Sequence, residues 1–219
     1  MKRDRANSRA GPSSPKERLR ERRRRELIDA CMDSIARYGL GGTTVARVAE
    51  SAGLSVGIIN FYFESKSALL LATLQHLVDS YERAWRGAIS RAGDDPARQL
   101  EALVDVAFDA SLCNVRTVSV WNAFWGETRA REEYLRVCGD RDAAFRAESQ
   151  RLIAELAARE AHAHVDPEAA MLAFVHLIEW LPDWMLGGDS AAFDLDWARS
   201  VCRRFLASLF PGEFSETTR

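Results

Sequence analysis

The stretch from Thr43 to Lys66, TTVARVAESAGLSVGIINFYFESK, constrains this chain more than any other part of it. Its polar starts and its central glycine divide it into two short helices with a tight turn between them. Thr43 or Thr44 caps a first helix that places Val45, Val48 and Ala49 on one face, and Gly53 supplies the left-handed backbone that ends it. Ser55 then caps a second helix. Ile58, Ile59 and Phe63 are expected to pack inward, which leaves Val56, Gly57, Asn60, Phe61 and Tyr62 presented outward. Helix, turn and helix in this order can lay the second helix in the major groove of DNA while neighbouring helix ends hold phosphates. The same pattern also suits an αα corner used only for packing, and the basic flank favours nucleic acid.

The net charge of −2 hides an asymmetry. Through Lys66 the chain carries 14 basic and 8 acidic residues, net +6, which leaves −8 for the remainder. A basic N-terminal part can neutralise phosphates while an acidic C-terminal part stays off the DNA.

The run Ala52-Gly53-Leu54-Ser55-Val56-Gly57-Ile58-Ile59, followed by Tyr62-Phe63 and Lys66, resembles the N-terminal domain of TetR-family transcriptional regulators over residues 20–75. Gly57-Ile58-Ile59 with Tyr62-Phe63 is most similar to the BetI-like, choline-responsive repressors; many other members carry Thr-Leu-Tyr where this chain has Ile58, Ile59 and Asn60. The resemblance implies a homodimer that binds operator DNA and, as a repressor, is released from it by a small-molecule effector. Ser55, Val56, Gly57, Asn60 and Phe61 are then expected nearest the bases, and Thr44, Tyr62 and Lys66 on phosphates. The ligand-binding half is the variable part of such proteins, so polyamines, other amines or a flat hydrophobic drug stay open beside a choline-like cation.

The rest of the chain reads as all-α. Residues 1–15 hold Arg3, Arg5 and Arg9 among breakers without an apolar period, and are expected to form a disordered basic arm able to track DNA. Residues 16–64 make the helix-turn-helix domain, whose first helix carries Leu27, Ile28, Cys31, Met32, Ile35 and Tyr38 on its inner face and stops at Gly39. Residues 65–92 form a connecting helix, with Ser65 as its cap and a stripe through Leu70, Leu74, Leu77, Tyr81 and Trp85. Residues 93–219 are expected to form a helical domain for effector binding and dimerisation. Its faces are Leu100 to Leu112, Val115 to Trp125, a polar helix over 131–161, and two last helices over 166–186 and 193–210. Met171, Leu172, Val175 and Ile178 on one, with Val201, Phe205 and Leu209 on the other, form the expected dimer seam, setting the reading helices about 34–36 Å apart.

An enzyme would need a nucleophile, a metal set or an acid-base pair, and none stands out, so no catalytic residue, metal or cofactor is expected; a small all-α enzyme or carrier is the alternative. Cysteines 31, 113, 138 and 202 lack metal-ligand spacing and suit buried thiols of a reducing compartment. No run approaches the length of a membrane span and the first residues are too charged for a signal peptide, which points to the cytoplasm. The effector reading rests on tryptophan. Trp121, Phe124 and Trp125 share one helical face, Trp180 and Trp184 another, and Phe108 belongs to the preceding helix. Pro182 frees the carbonyl of Ile178, Glu179 and Asp183 flank it, and Asp109 and Glu127 lie near the first aromatic face. Rings with carboxylates suit a cationic ligand, each desolvated ring contributing about 0.5–2 kcal/mol. Core or interface packing explains the same rings equally well.

Overall fold

Apolar residues at intervals of three and four, punctuated by glycine, proline and polar caps, make helices throughout. The computed structural model describes residues 14–126, 128–187 and 194–214. Among them are nine α-helices, one 3-10 turn and no strand. The chain forms two compact units, Met1–Thr73 and Leu74–Arg219.

In the first unit, α1 (Pro15–Gly42) opens with a capping box. The Glu17 amide donates to Ser14 Oγ at 3.2 Å and the Ser14 amide to Glu17 Oε2 at 2.9 Å, satisfying two of the helix's orphan donors. Gly39, at φ 68°, interrupts α1 where the sequence placed its end, and one further turn reaches Gly42. Two short helices follow, α2 (Val45–Ser51) and α3 (Val56–Tyr62), and then α4 (Lys66–Ala92) begins. Leu27, Ile28, Cys31 and Ile35 of α1 close a core with Val48 and Ala49 of α2, Ile59 and Phe63, and Leu69 of α4, all at most 5% exposed. Fully burying one such aliphatic side chain contributes about 1.5–3 kcal/mol, so this core holds α3 in place although the helix has only seven residues.

The second unit takes the later turns of α4 and adds α5 (Pro96–Ala107), α6 (Val115–Gly126), α7 (Thr128–Ala157), a 3-10 turn (Glu160–His162), α8 (Pro167–Gly187) and α9 (Leu195–Leu209). α5 ends at Ala107 and does not run on to Leu112. Asp109 Oδ1 accepts from the Ser111 amide at 2.9 Å and Asn114 Oδ1 from the Thr117 amide at 3.0 Å, and such local bonds compete with helix continuation. Leu103, Phe108, Leu152, Phe174, Cys202 and Leu206 form the centre of the core. Arg199 donates to the Phe108 carbonyl at the end of α5, and Arg203 pairs with Asp105 at 2.5 Å, tying α9 to α5. Contrary to the expectation of no such run, α8 is long and apolar enough to cross a membrane by length and composition. Its apolar residues lie on two sides: Phe174, Val175 and Ile178 face the core, whereas Leu172, Trp180 and Trp184 face outward.

Candidate nucleic-acid interface and effector-binding cluster

The turn before α2 explains why two adjacent threonines differ in role. Thr43 is buried; its hydroxyl donates to the Gly39 carbonyl at 2.8 Å and accepts from Ser34 Oγ at 3.2 Å. Thr44 is exposed and is the cap, its Oγ1 accepting from the Arg47 amide at 3.2 Å. Gly53, at φ 64°, lets the Leu54 amide return to the Ala49 carbonyl at 2.9 Å and turns the chain into α3. Ser55 occupies the cap position of α3 without a side-chain cap hydrogen bond. Its exposed hydroxyl and the exposed amide of Asn60 share the outer face with Val56, Gly57 and Phe61, the last of these 71% exposed. Ile58 was expected inside and is 37% exposed, because at 100° per residue it cannot share the inward direction of both Ile59 and Phe63. Tyr62 is half-buried and meets Phe61 edge-on at 5.2 Å. Lys66 is half-buried and Nζ donates to the Leu40 carbonyl at 2.8 Å, so it braces the end of α1 and only its remaining N–H donors can meet a phosphate.

In the second unit, side chains of α4, α6, α7 and α8 form a mixed aromatic and acidic cluster. Tyr134 of α7 makes T-shaped contacts with two α6 rings, Trp121 at 6.0 Å and Trp125 at 5.1 Å between centroids, and donates to Asp142 Oδ2 in a long 3.4 Å hydrogen bond. Burial holds the Asp142 carboxyl above the usual carboxylate range, partly offset by Arg146. Burial, then the charge of Asp142, does the same to Glu179 of α8. Tyr81 of α4 is pushed up by burial and by Glu179, Cys113 and Asp142. Asp142 and Tyr134 are half-buried and Glu179 keeps an exposed edge, so the cluster is open to water. Arg141, next in sequence to Asp142, clamps α7 to α4 through Asp79 at 2.6 Å and Glu82 at 2.8 Å.

The other expected effector residues lie elsewhere. Phe108 (0% exposed) and Phe124 (3%) are core. Trp180 and Trp184, 51% and 63% exposed, stand on the outer face of α8, where Trp184 stacks on Trp197 at 5.3 Å. Asp183 is bound by the Asn122 amide. Asp109 accepts from Ser111 in its turn, which lowers its pKa, and Glu127 and the arm with Arg3, Arg5 and Arg9 lie outside the described residues.

Two family models match the chain: bacterial regulatory proteins of the tetR family over residues 27–73, and the C-terminal domain of BetI-type transcriptional repressors over 96–211. The second covers more than half of the sequence. The chain belongs to the TetR family, in its BetI-type branch. Among relatives of this regulator is the HTH-type transcriptional regulator BetI of Stenotrophomonas maltophilia, 34% identical over 178 residues, spanning 80% of this chain and 87% of that one. BetI of Paraburkholderia xenovorans is 36% identical over 157 residues, 66% of this chain and 80% of its own. Among solved structures, a transcriptional regulator from Pseudomonas aeruginosa aligns with a TM-score of 0.71 at 27% identity over 88% of this chain and 92% of that one. FadR of Bacillus subtilis, solved in complex with stearoyl-CoA, shares the fold with a TM-score of 0.66 at 17% identity, over 86% and 98%. The TetR-family regulator is thus a sequence-specific DNA-binding protein and not an enzyme, as the helix-turn-helix stretch suggested.

Of the residues singled out in the sequence of this TetR-family member, the structure brings Ser55, Val56, Gly57, Asn60 and Phe61 onto one outer face and Trp121 and Trp125 against Tyr134, with the charge of Glu179 close enough to act on that tyrosine. Sequence reasoning missed Tyr81, Tyr134 and Asp142. In the sequence Tyr81 is one point of an apolar stripe with Leu77 and Trp85. Asp142, three residues before Phe145, is the acidic residue at the core edge of α7 and was the available signal.

Proposed function

We propose that this regulator is a homodimeric repressor that reads its operator with the outward face of α3 and leaves it when a small organic cation binds in the second unit. The observation that carries the DNA-reading part is a seven-residue helix, anchored by Ile59 and Phe63, whose Ser55 hydroxyl and Asn60 amide are both exposed and uncommitted to capping. Asn60 suits adenine through paired hydrogen bonds, and Phe61 suits a thymine methyl group. Thr44 and Tyr62 serve phosphates at the rim, with Lys66 sharing its ammonium between Leu40 and the backbone.

A second copy is the occupant that best fits the outer face of α8 and α9. Ala173, Leu177, Trp180, Trp184 and Phe205 line an open apolar groove of about 610 Å³. Ala173 and Phe205 also belong to the neighbouring 250 Å³ groove that continues to Val165 and Leu209. Of the expected seam, Phe205 and Leu209 line these grooves and Leu172 is exposed on α8, whereas Val175 and Ile178 are core at 2% and 5% exposure and are left out of the proposed interface. Exposed tryptophans on a continuous apolar face are the usual anchors of a subunit interface.

The effector reading moves from the α8 tryptophans to Trp121, Trp125 and Tyr134 with Asp142 and Glu179. Asp142 and Glu179 both feel the Arg146 guanidinium, and Glu179 also feels His176, while Arg141 is engaged by Asp79 and Glu82, so the two carboxylates leave a site that gains from a cation. Because Arg141 fastens α7 to α4 beside Asp142, a ligand there bears on the helix that runs on into the DNA-reading unit. It releases DNA only by its differential affinity for the two states. Tryptophan fluorescence tests this: choline, betaine aldehyde, polyamines and uncharged aromatic compounds are titrated with and without the operator selected by the protein from a randomised duplex library. Cations are expected to bind and to dissociate the complex, with Asp142→Asn weakening them tenfold or more. Release by neutral or anionic compounds alone would leave the rings as hydrophobic walls.

A further inference from the structure

Seven of the ten residues from Lys16 to Arg25 are cations, and the structure sorts them by what they touch. Arg22 and Arg23 turn to Glu26 at 3.7 and 2.6 Å, and Arg25 turns to Glu21 at 3.6 Å. No carboxylate among the described residues lies within ion-pair distance of Lys16, Arg18, Arg20 or Arg24. The Arg20 guanidinium instead stands over the Phe61 ring at 5.9 Å and that of Arg24 over the Phe63 ring at 5.3 Å. Phe61 is 71% exposed on the outer face of α3, so Arg20 is on the side of the unit that the reading helix presents. Lys16 lies one turn before Arg20 on the same stripe, fully outside the core and held in helix by the Ser14–Glu17 capping box.

We propose that this stripe of α1 binds the DNA backbone just outside the base pairs that α3 reads: Lys16 and Arg20 on phosphates, and Arg24 fixing the stripe over Phe63. The three positions span about 12 Å of helix, comparable with three to four phosphate steps of one strand at about 3.4 Å each along the axis. The inference rests on α3 being the DNA-facing helix and adds a flank to its half-site. An acidic membrane surface is the other polyanion such cations fit; the contact of Arg20 with the reading helix itself favours DNA. Arg22, Arg23 and Arg25 are partly neutralised by their own glutamates and contribute less.

The test uses the full chain and its selected operator, embedded with short or long flanks beyond each half-site, over a salt series. Removing two phosphate contacts per subunit with Lys16→Ala/Arg20→Ala is expected to lower the slope of log affinity against log salt by about 3–4 for a dimer, at 0.9 per contact. Hydroxyl-radical protection should retreat from both outer flanks, and long flanks should no longer bind better than short ones. Lys16→Ala alone, which touches no aromatic ring, should show half of this, separating a phosphate contact from support of Phe61. Arg22→Ala, on the Glu26 side, is the control, and circular dichroism checks that α1 stays helical. Equal slopes and footprints for wild type and the double variant overturn the proposal, as does binding of anionic vesicles without any change on DNA. Failure of the α3 reading looks different: wild type itself would then show no preference for the operator over scrambled half-sites, and the flank proposal falls with it.

Discussion

Replacing Lys66 by Met keeps the aliphatic stem and removes the charge, and so separates two roles that the structure gives to one ammonium. Nζ donates to the Leu40 carbonyl at 2.8 Å, close to the kinked end of α1, where carbonyls lack helical partners. A hydrogen bond to a charged group contributes about 1.5–3 kcal/mol, and since Lys66 is half-buried, solvent screening brings this down to about 1–2 kcal/mol. For a chain of this size that loss lowers the thermal midpoint by about 2–8 °C. The phosphate contact proposed for the same ammonium adds a second effect, a fall in salt slope of about 0.9 per subunit. Thermal unfolding and operator binding over a salt series, run on the same Lys66→Met preparation, measure the two separately. A midpoint unchanged within 1 °C, a threshold set well below the smallest shift expected, would refute the bracing of α1. An unchanged slope with lowered stability would show that Leu40 holds the whole charge and that Lys66 does not touch DNA.

Asn60→Ala is expected to change which base pair is preferred at one position of each half-site by about 1–3 kcal/mol, measured by competition among single-base operator variants, whereas a phosphate contact would weaken all of them alike. Phe205→Glu or Trp180→Glu places a charge on the outer groove of α8 and α9, and light scattering should report monomers; a stable dimer from both variants would move the interface elsewhere. Asp142 has its pKa raised by burial, so the folded state holds its proton to higher pH than the unfolded chain does. Its contribution to stability is full below the unfolded carboxylate pKa and is lost as pH rises through the folded value. Asp142→Asn should therefore be the more stable protein at pH 8 by chemical denaturation, with the advantage shrinking on acidification. A cation effector should bind with the opposite trend, more tightly as Asp142 ionises; parallel pH profiles for the two proteins would remove Asp142 from the site.

Local rules carried the reading of the first unit. A threonine cap, a glycine at positive φ and a seven-residue helix are short-range features, and so a cap at Thr43 or Thr44, the turn at Gly53 and the outward set Ser55, Gly57, Asn60 and Phe61 were legible from spacing, while the burial of Thr43 left the cap to Thr44. The same holds for the stop at Gly39 and for the all-α class, which follow from turn chemistry and helical period. Tertiary structure decided what period cannot. Trp121 and Trp180 look alike as rings on amphipathic helices, yet one meets Tyr134 at 6.0 Å and the other lies on an outer face, because α8 is apolar on two sides and its rotation is set by which side packs on α7. Val175 and Ile178 went to the core by the same rotation, leaving Leu172 and Trp184 outside. The polar contacts around the aromatic and acidic cluster of the second unit join residues far apart in sequence, Arg141 with Asp79 and Glu82, and Asn122 with Asp183. No local propensity encodes such pairs; they exist only once burial of the surrounding apolar faces has fixed the distances between helices.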